Sequence, residues 1–295
     1  MFRNIKIPPS FSLIEKGRVI LLLREEYKDL LLRQGIDDPK SFIEKSREAA
    51  HYLNGRTPHP SIPFEKGKRM VLRQYSHGGL MRAITGNLYF FGARSFQELA
   101  ITEEIRSCGI PTIEQIGAVH QVTGFSSFYR AYLLTLEVPE ALNAIQYLQK
   151  MRKNPDREML FHKRKMIGHS GLLIRQFHRS GFFHRDLQLK NILVAGDQLL
   201  LIDFDRSYRR SSLSWKERMR NLLRINRSVE KWRRLGLSIT RTDRWRFFLA
   251  YAGDDKKIRE RMIKILRTYS LRFLFYRLGW TLEKIVGSSK VRVRS

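Results

Sequence analysis

One stretch, Gly181 to Asp205, constrains this chain more than any other: GFFHRDLQLKNILVAGDQLLLIDFD. Two short apolar runs, Ile192 to Val194 and Leu199 to Ile202, flank the turn signal Gly196-Asp197 and read as two strands joined like a hairpin. Asp186 and Asn191 lie ahead of the first strand, and Asp203 closes the second. A hairpin brings its two ends together, so this order lets two acids and an amide converge on one point.

The stretch resembles the protein-kinase signature, H-R-D-L-x-x-x-N followed by a strand that ends in Asp-Phe. That resemblance implies that Asp186 accepts the proton of an acceptor hydroxyl or orients it, while Asn191 and Asp203 hold Mg2+ against the phosphates of ATP. Phosphoryl transfer asks for alignment and charge neutralisation rather than covalent help, and three polar side chains with a metal ion can supply both.

A chain of 295 residues, 42% hydrophobic, can bury a sizeable core and suits one two-lobed domain or two small ones. Its 56 Lys and Arg against 28 Asp and Glu give a net charge of +28, which predicts attraction to phosphate-rich partners. An anionic membrane face and a phosphorylated glycolipid fit that charge; nucleic acid is not expected, because no base-stacking motif accompanies it. The single cysteine, Cys108, excludes an internal disulfide and a multi-cysteine zinc site, and reads as a small apolar filler in a reducing cytosol. No run approaches the ~18 to 20 apolar residues of a membrane span, and MFRNIKIPPSF lacks a secretory core. The expected location is the cytoplasm, with any membrane contact peripheral. Nothing signals an oligomeric state.

Phe11 to Tyr27 reads as paired strands around Glu15-Lys16-Gly17-Arg18, and Asp37 to Leu53, opened by Asp38-Pro39, has helical spacing. A Pro-broken stretch then runs to Phe64, and Met70 to Gln74 is an apolar strand whose Arg73 stands where the kinase template has its phosphate-binding lysine. Arginine there can hold phosphate and pair with a carboxylate through its fork; the plainer reading is an edge-strand surface arginine, with Lys66 and Lys68 as fallback phosphate ligands. A helix follows Ser95 and carries Glu98 where it can pair with Arg73. No G-x-G-x-x-G precedes the Arg73 strand, so Gly55 is the candidate for the phosphate-covering loop. His77-Gly78-Gly79 reads as a turn or an anion-binding backbone. Ala131 to Glu137 is the next strand, Glu137 and Val138 are the candidate adenine-binding backbone, and Pro139 removes one donor there. Lys163 to Ser180 is a helix leading into the catalytic loop.

After Asp203 the chain runs FDRSYRRSSLSWKERM with no A-P-E, becoming helical and basic at once. A peptide-docking activation segment is absent, which argues for a small or glycolipid acceptor. Asp205 stands in place of the usual glycine and should stiffen the metal loop.

VLRQYSHGGL (Val71 to Leu80), ARSFQELAITEEIRSCGIPTIEQIGAV (Ala93 to Val119), HRDLQLKNILV, IDFDRS and NLLRINRS (Asn221 to Ser228) together resemble the lipopolysaccharide core kinases, the Kdo kinases more than the heptose kinases. The resemblance covers about Gly55 to Tyr251. It implies an α+β, two-lobed protein-kinase-like fold, with an N-lobe antiparallel sheet and helix over 1–137 (1–54 a lead-in), a mostly helical C-lobe over 138–287, and a disordered tail over 288–295. It further implies ATP and Mg2+ as cofactors, and a lipid A-linked core oligosaccharide as acceptor at the cytoplasmic face of the inner membrane. From Arg206 to Arg246 many basic residues interleave with Trp215, Trp232 and Trp245, and a helical stretch from Lys256 to Val286 mixes Lys and Arg with apolar residues, either as a lipid-facing surface or as an ordinary basic C-lobe. Two other readings are a kinase of some other small-molecule hydroxyl and a non-catalytic scaffold binding lipid or nucleotide.

Overall fold

The computed structural model describes residues 6–53, 59–76, 87–90, 92–123, 128–151 and 155–264. The strands β1 (Phe11–Lys16), β2 (Val19–Arg24), β3 (His51–Leu53), β4 (His59–Pro63), β5 (Arg69–Gln74), β6 (Tyr89–Phe90), β7 (Gln115–Val122) and β8 (Phe128–Leu136) form one antiparallel sheet. The order is β1-β2-β7-β8-β5-β4-β3, with β6 also paired to β8.

Alternation along the strands supplies two cores, because successive side chains point to opposite faces. Leu21, Leu23, Tyr132 and Leu134 pack on one face with Leu31 and Phe42, from the short helices α1 (Lys28–Arg33) and α2 (Pro39–Lys45). Their neighbours Leu22, Ala131 and Leu133 pack on the other against Phe96 and Leu99 of α3 (Arg94–Ser107). A sheet buried on both faces needs this near-continuous apolar run rather than a polar-apolar alternation.

The helical expectation for Asp37 to Leu53 is corrected: α2 stops at Lys45, and His51–Leu53 is strand. Pairing of Leu53 with His59 across the sheet overrides the local periodicity. The Pro-broken stretch is likewise strand β4. Pro60 pairs only with β3 and Pro63 only with β5, so each proline's missing N–H falls where one neighbouring ladder is absent.

The rest is mostly helical: α4 (Ala144–Lys150), α5 (Arg157–Arg179), α6 (Trp215–Arg234), α7 (Arg241–Ala252) and residues 256–264. Caps set the helix starts. The Asp156 carboxylate accepts from the Met159 N–H at 2.7 Å, and Ser214 with Glu217 and Thr240 with Asp243 form capping boxes. α5 begins six residues before Lys163, because Asp156 rather than the apolar pattern fixes its start. Gly171 lets α7 approach α5: a Cβ there would lie 2.6 Å from the Phe247 carbonyl oxygen.

Lys163 on α5 meets Asp243 on α7 at 2.8 Å, with both side chains almost fully buried. Lys163→Met would remove the buried partner of Asp243 and leave Arg246, 3.2 Å from Oδ1, as its remaining cation, at an expected cost of about 1.5–3 kcal/mol, readable as a lower urea midpoint.

Candidate active site

The helical lobe carries a small sheet, β9 (Leu142–Asn143), β11 (Ile192–Ala195) and β12 (Gln198–Leu201), with β11 and β12 paired antiparallel as a hairpin. Ahead of it, β10 (Phe182–Phe183) pairs with β13 (Tyr208–Arg209) in a separate two-stranded sheet, so the chain after Asp203 first makes a strand, and its helix begins only at Trp215. This corrects the expectation of an immediate helix. Gly181, at φ +83°, makes the turn into β10, and a side chain there would run into the Arg210 carbonyl.

Backbone bonds hold the loop from His184 to Asn191, the candidate catalytic loop. The His184 imidazole bonds the Ile202 carbonyl through Nε2 at 3.0 Å and the Asp186 N–H through Nδ1 at 3.1 Å. Nε2 must therefore be the donor and Nδ1 the acceptor, which is the neutral imidazole, and burial lowers its pKa accordingly. Asn191 Nδ2 donates to the Asp186 carbonyl at 2.8 Å, and the Ile202 N–H donates to the Asn191 carbonyl at 3.1 Å. The loop and the strand ending in Asp203 are thus one hydrogen-bonded unit.

α6 grips that loop from the other side. Asn221, almost fully buried, accepts from the His184 N–H at 3.1 Å and donates to the His184 carbonyl at 2.7 Å; Ser228 accepts from the Leu189 N–H at 3.3 Å. Between them Arg224 donates through Nε to Asp186 Oδ1 at 2.6 Å. Gln188 also donates to that carboxylate, and Lys190 lies 3.4 Å from it. Burial alone would raise the pKa of Asp186, but the bonds from Gln188 and Arg224 outweigh it, and the acid sits below its ordinary value.

Arg73 sits on β5 opposite Leu133 and joins three elements. Its Nη1 reaches Glu98 Oε1 of α3 at 3.2 Å, and its Nη2 reaches Asp203 Oδ1 at 2.9 Å. The Tyr75 hydroxyl also donates to Glu98. Burial pushes Glu98 up to about 7 against the pull of Arg73, and Arg73 stays cationic between carboxylates despite its own burial. His59 on β4, which no sequence motif marked, is kept neutral, with its pKa down to about 4 through burial and the nearby Arg73.

Glu98 therefore changes charge within the physiological range. If Arg73 binds nucleotide, kcat/KM for ATP is expected to fall as pH drops through about 7, because protonated Glu98 releases its hold on the guanidinium. A pH-rate profile checks this: Glu98→Gln should lack the limb near 7, and Asp186 cannot produce it, because its shift is in the opposite direction.

The DFD sequence differs from its glycine counterpart in a specific way. Positive φ falls on Asp203 (+66°) and Arg206 (+55°), while Asp205 needs none. Asp205 instead receives a two-point bond from Arg94 at the start of α3, Nε to Oδ1 at 2.6 Å, which raises the arginine's pKa further. Arg94 lies over the Tyr75 and Tyr89 rings. The carboxylate ties the loop to α3, a role that residue type alone did not reveal.

Of the remaining expected residues, Gly55 and His77-Gly78-Gly79 lie outside the described residues. The Glu137 N–H is spent on the Arg69 carbonyl at 2.8 Å, and its carboxylate bonds Ser61 and lies 3.3 Å from His51, so Glu137 offers adenine no donor. The Val138 carbonyl accepts from Ala141 at 3.3 Å, which leaves the Val138 N–H without a partner among the described residues. Lys66 is exposed beside Glu65, and Lys68 donates to the Tyr27 hydroxyl at 3.3 Å. Trp215 and Trp232 pack against the helical core, leaving Trp245 of the three exposed, and residues 265–286 of the expected lipid-facing surface lie outside the described residues. A cavity of about 710 Å3 behind the β11–β12 hairpin is lined mainly by apolar side chains such as Met166, Leu222 and Phe248, and is bordered by neither Arg73 nor Asp203. Its chemistry does not suit a triphosphate.

Residues 41–251 match the model of the lipopolysaccharide kinase (Kdo/WaaP) family. The chain belongs to this family. It is 33% identical over 168 residues to a protein named 3-deoxy-D-manno-octulosonic acid kinase from Vibrio vulnificus (strain YJ016), a match that takes in 55% of this chain and 66%, just under two thirds, of that relative. A protein of the same name from Xanthomonas oryzae pv. oryzae (strain PXO99A) is 33% identical over 201 residues, covering 66% of this chain and 74% of its own length. The structure of WaaP in complex with acyl carrier protein superposes with a TM-score of 0.55 at 20% identity, over 86% of this chain and 95% of that one. This likeness shows the two-lobed kinase-like fold. The Kdo/WaaP match spans the Arg73–Glu98–Asp203 cluster, the catalytic loop and the α6 grip; no helix among the described residues is long and apolar enough to cross a membrane.

Proposed function

We propose that this chain transfers the γ-phosphoryl group of ATP to a hydroxyl of 3-deoxy-D-manno-octulosonic acid (Kdo) in a lipid A-linked core oligosaccharide. The observation that carries the reading is the Arg73 fork, which ties α3 to Asp203, beside a loop that presents Asp186 with its pKa lowered. In this reading Arg73 binds ATP phosphate oxygens and Glu98 holds Arg73 in place. The Val138 N–H contributes to the adenine site, and Gly55 to the loop over the phosphates.

The acceptor oxygen forms a bond to the γ-phosphorus as the bond from that phosphorus to the β–γ bridging oxygen breaks, and ADP leaves with the bond's electron pair. Asp186, ionised at neutral pH, receives the hydroxyl proton. Asn191 and Asp203 fit a Mg2+ ion: Asn191 spends its Nδ2 on the Asp186 carbonyl and keeps its amide oxygen for a ligand, and Mg2+ typically takes one or two carboxylates with the remaining oxygens from phosphates and water. Bound there, the ion would neutralise charge on the phosphates. The net charge of +28 supports peripheral contact with an anionic membrane surface at the cytoplasmic face of the inner membrane.

The test incubates purified protein with labelled ATP and lipid A glycolipids truncated to Kdo or extended to heptose. Label on Kdo is the expected result. Label on heptose alone, or ATP binding without transfer to any acceptor, would refute the proposal.

A further inference from the structure

We infer that Arg224, together with Lys190, forms the subsite for the carboxylate of the acceptor sugar acid. The inference rests on the proposed activity and deepens it, by saying how an anionic acceptor is brought to the base.

Asn221, Arg224 and Ser228 occupy positions i, i+3 and i+7 of α6, one face of the helix, and all three reach the catalytic loop. Asn221 and Ser228 bond the loop's backbone, which is enough to fix its position. Arg224 does something different: it bonds a side chain, Asp186, and its own side chain remains 39% exposed. Both of its contacts, through Nε and Nη2, go to the same oxygen, Oδ1, so Nη1 is without a partner among the described residues. Lys190, 50% exposed, stands beside Oδ2. Two cations therefore face one carboxylate, and a net positive charge remains next to the base, open to solvent.

An octulosonic acid, the compound named in the relatives, carries a carboxylate. Placed beside Asp186 without intervening cations, that carboxylate would repel the base and raise its pKa. A guanidinium shared between the two acids removes the repulsion, and its planar fork matches the geometry of a carboxylate. The subsite thus selects for an acidic sugar over a neutral one.

The experiment compares kcat/KM for a Kdo-bearing glycolipid with that for the same glycolipid whose Kdo carboxylate is reduced to an alcohol, using wild type, Arg224→Gln, Arg224→Lys and Lys190→Gln. Wild type is expected to favour the acid by about tenfold or more, the worth of one charge-assisted hydrogen bond. Arg224→Gln should bring that ratio close to one, whatever loss it shows on both acceptors, while KM for ATP stays within about twofold and Arg224→Lys keeps part of the preference. An unchanged ratio in Arg224→Gln would overturn the inference, since equal losses mean that Arg224 only orients Asp186; so would a wild type indifferent to the carboxylate. Transfer to neither acceptor by wild type would instead sink the proposed activity, and the inference with it.

Discussion

Asp186→Asn is expected to lower kcat about a thousandfold while leaving ATP affinity within about twofold, the range associated with losing a positioned general base. An amide cannot take up the acceptor proton. The substitution should leave the loop in place, because its supports use the backbone: the Asp186 N–H to His184, the Asp186 carbonyl to Asn191, and the His184 backbone to Asn221. Arg224 and Lys190 lose a counter-charge, but both are well exposed, so water screens them. Single-turnover kinetics with ATP titration by calorimetry measures the two effects separately. A fall of less than tenfold would remove Asp186 from the chemistry.

Arg73→Met should cost about a hundredfold to a thousandfold in kcat/KM for ATP, the scale for losing one preorganised group that stabilises charge. It should also destabilise the fold in a pH-dependent way. Glu98 is only 2% exposed, and an unpaired buried carboxylate costs about 3–5 kcal/mol if it remains ionised. Its pKa already stands at about 7, above the unfolded value, and loss of the guanidinium raises it further. A raised carboxyl pKa means that stability is fully present when the group is protonated and is lost as pH rises through the folded-state value. Arg73→Met should therefore unfold at lower urea than wild type above about pH 7, with the gap narrowing toward pH 5. Adding Glu98→Gln should close the gap at high pH without restoring activity. Equal destabilisation at both pH values would contradict the charge argument.

The chemistry-bearing stretch was legible because its spacing is local. The turn at Gly196-Asp197 and the two apolar runs imply a hairpin wherever they occur, and the loop ahead of them follows. Arg73 and Glu98 were legible as a pair through the template they resemble, and they meet in space at 3.2 Å. Proline-bearing β4 and the short strand β3 were missed, since only pairing across the sheet makes them strands. Arg94 and Arg224 were missed, and Asp205 was marked without its partner, for a related reason. Each meets its partner across a long loop or between separate elements, over a sequence separation of 111 residues for Arg94–Asp205 and 38 for Arg224–Asp186. One signal was present: NLLRINRS stood out as a resembling segment, and its Asn, Arg and Ser are the residues that face the catalytic loop.

The amino-acid order by itself determined which groups carry acid, amide and cation, and that two of them bracket a hairpin, because those facts depend on covalent sequence and nearest-neighbour geometry. Only the tertiary structure decided which charges face one another. An ion pair depends on where burial and strand pairing leave two side chains, and a buried acid such as Glu98 takes its pKa from everything packed around it.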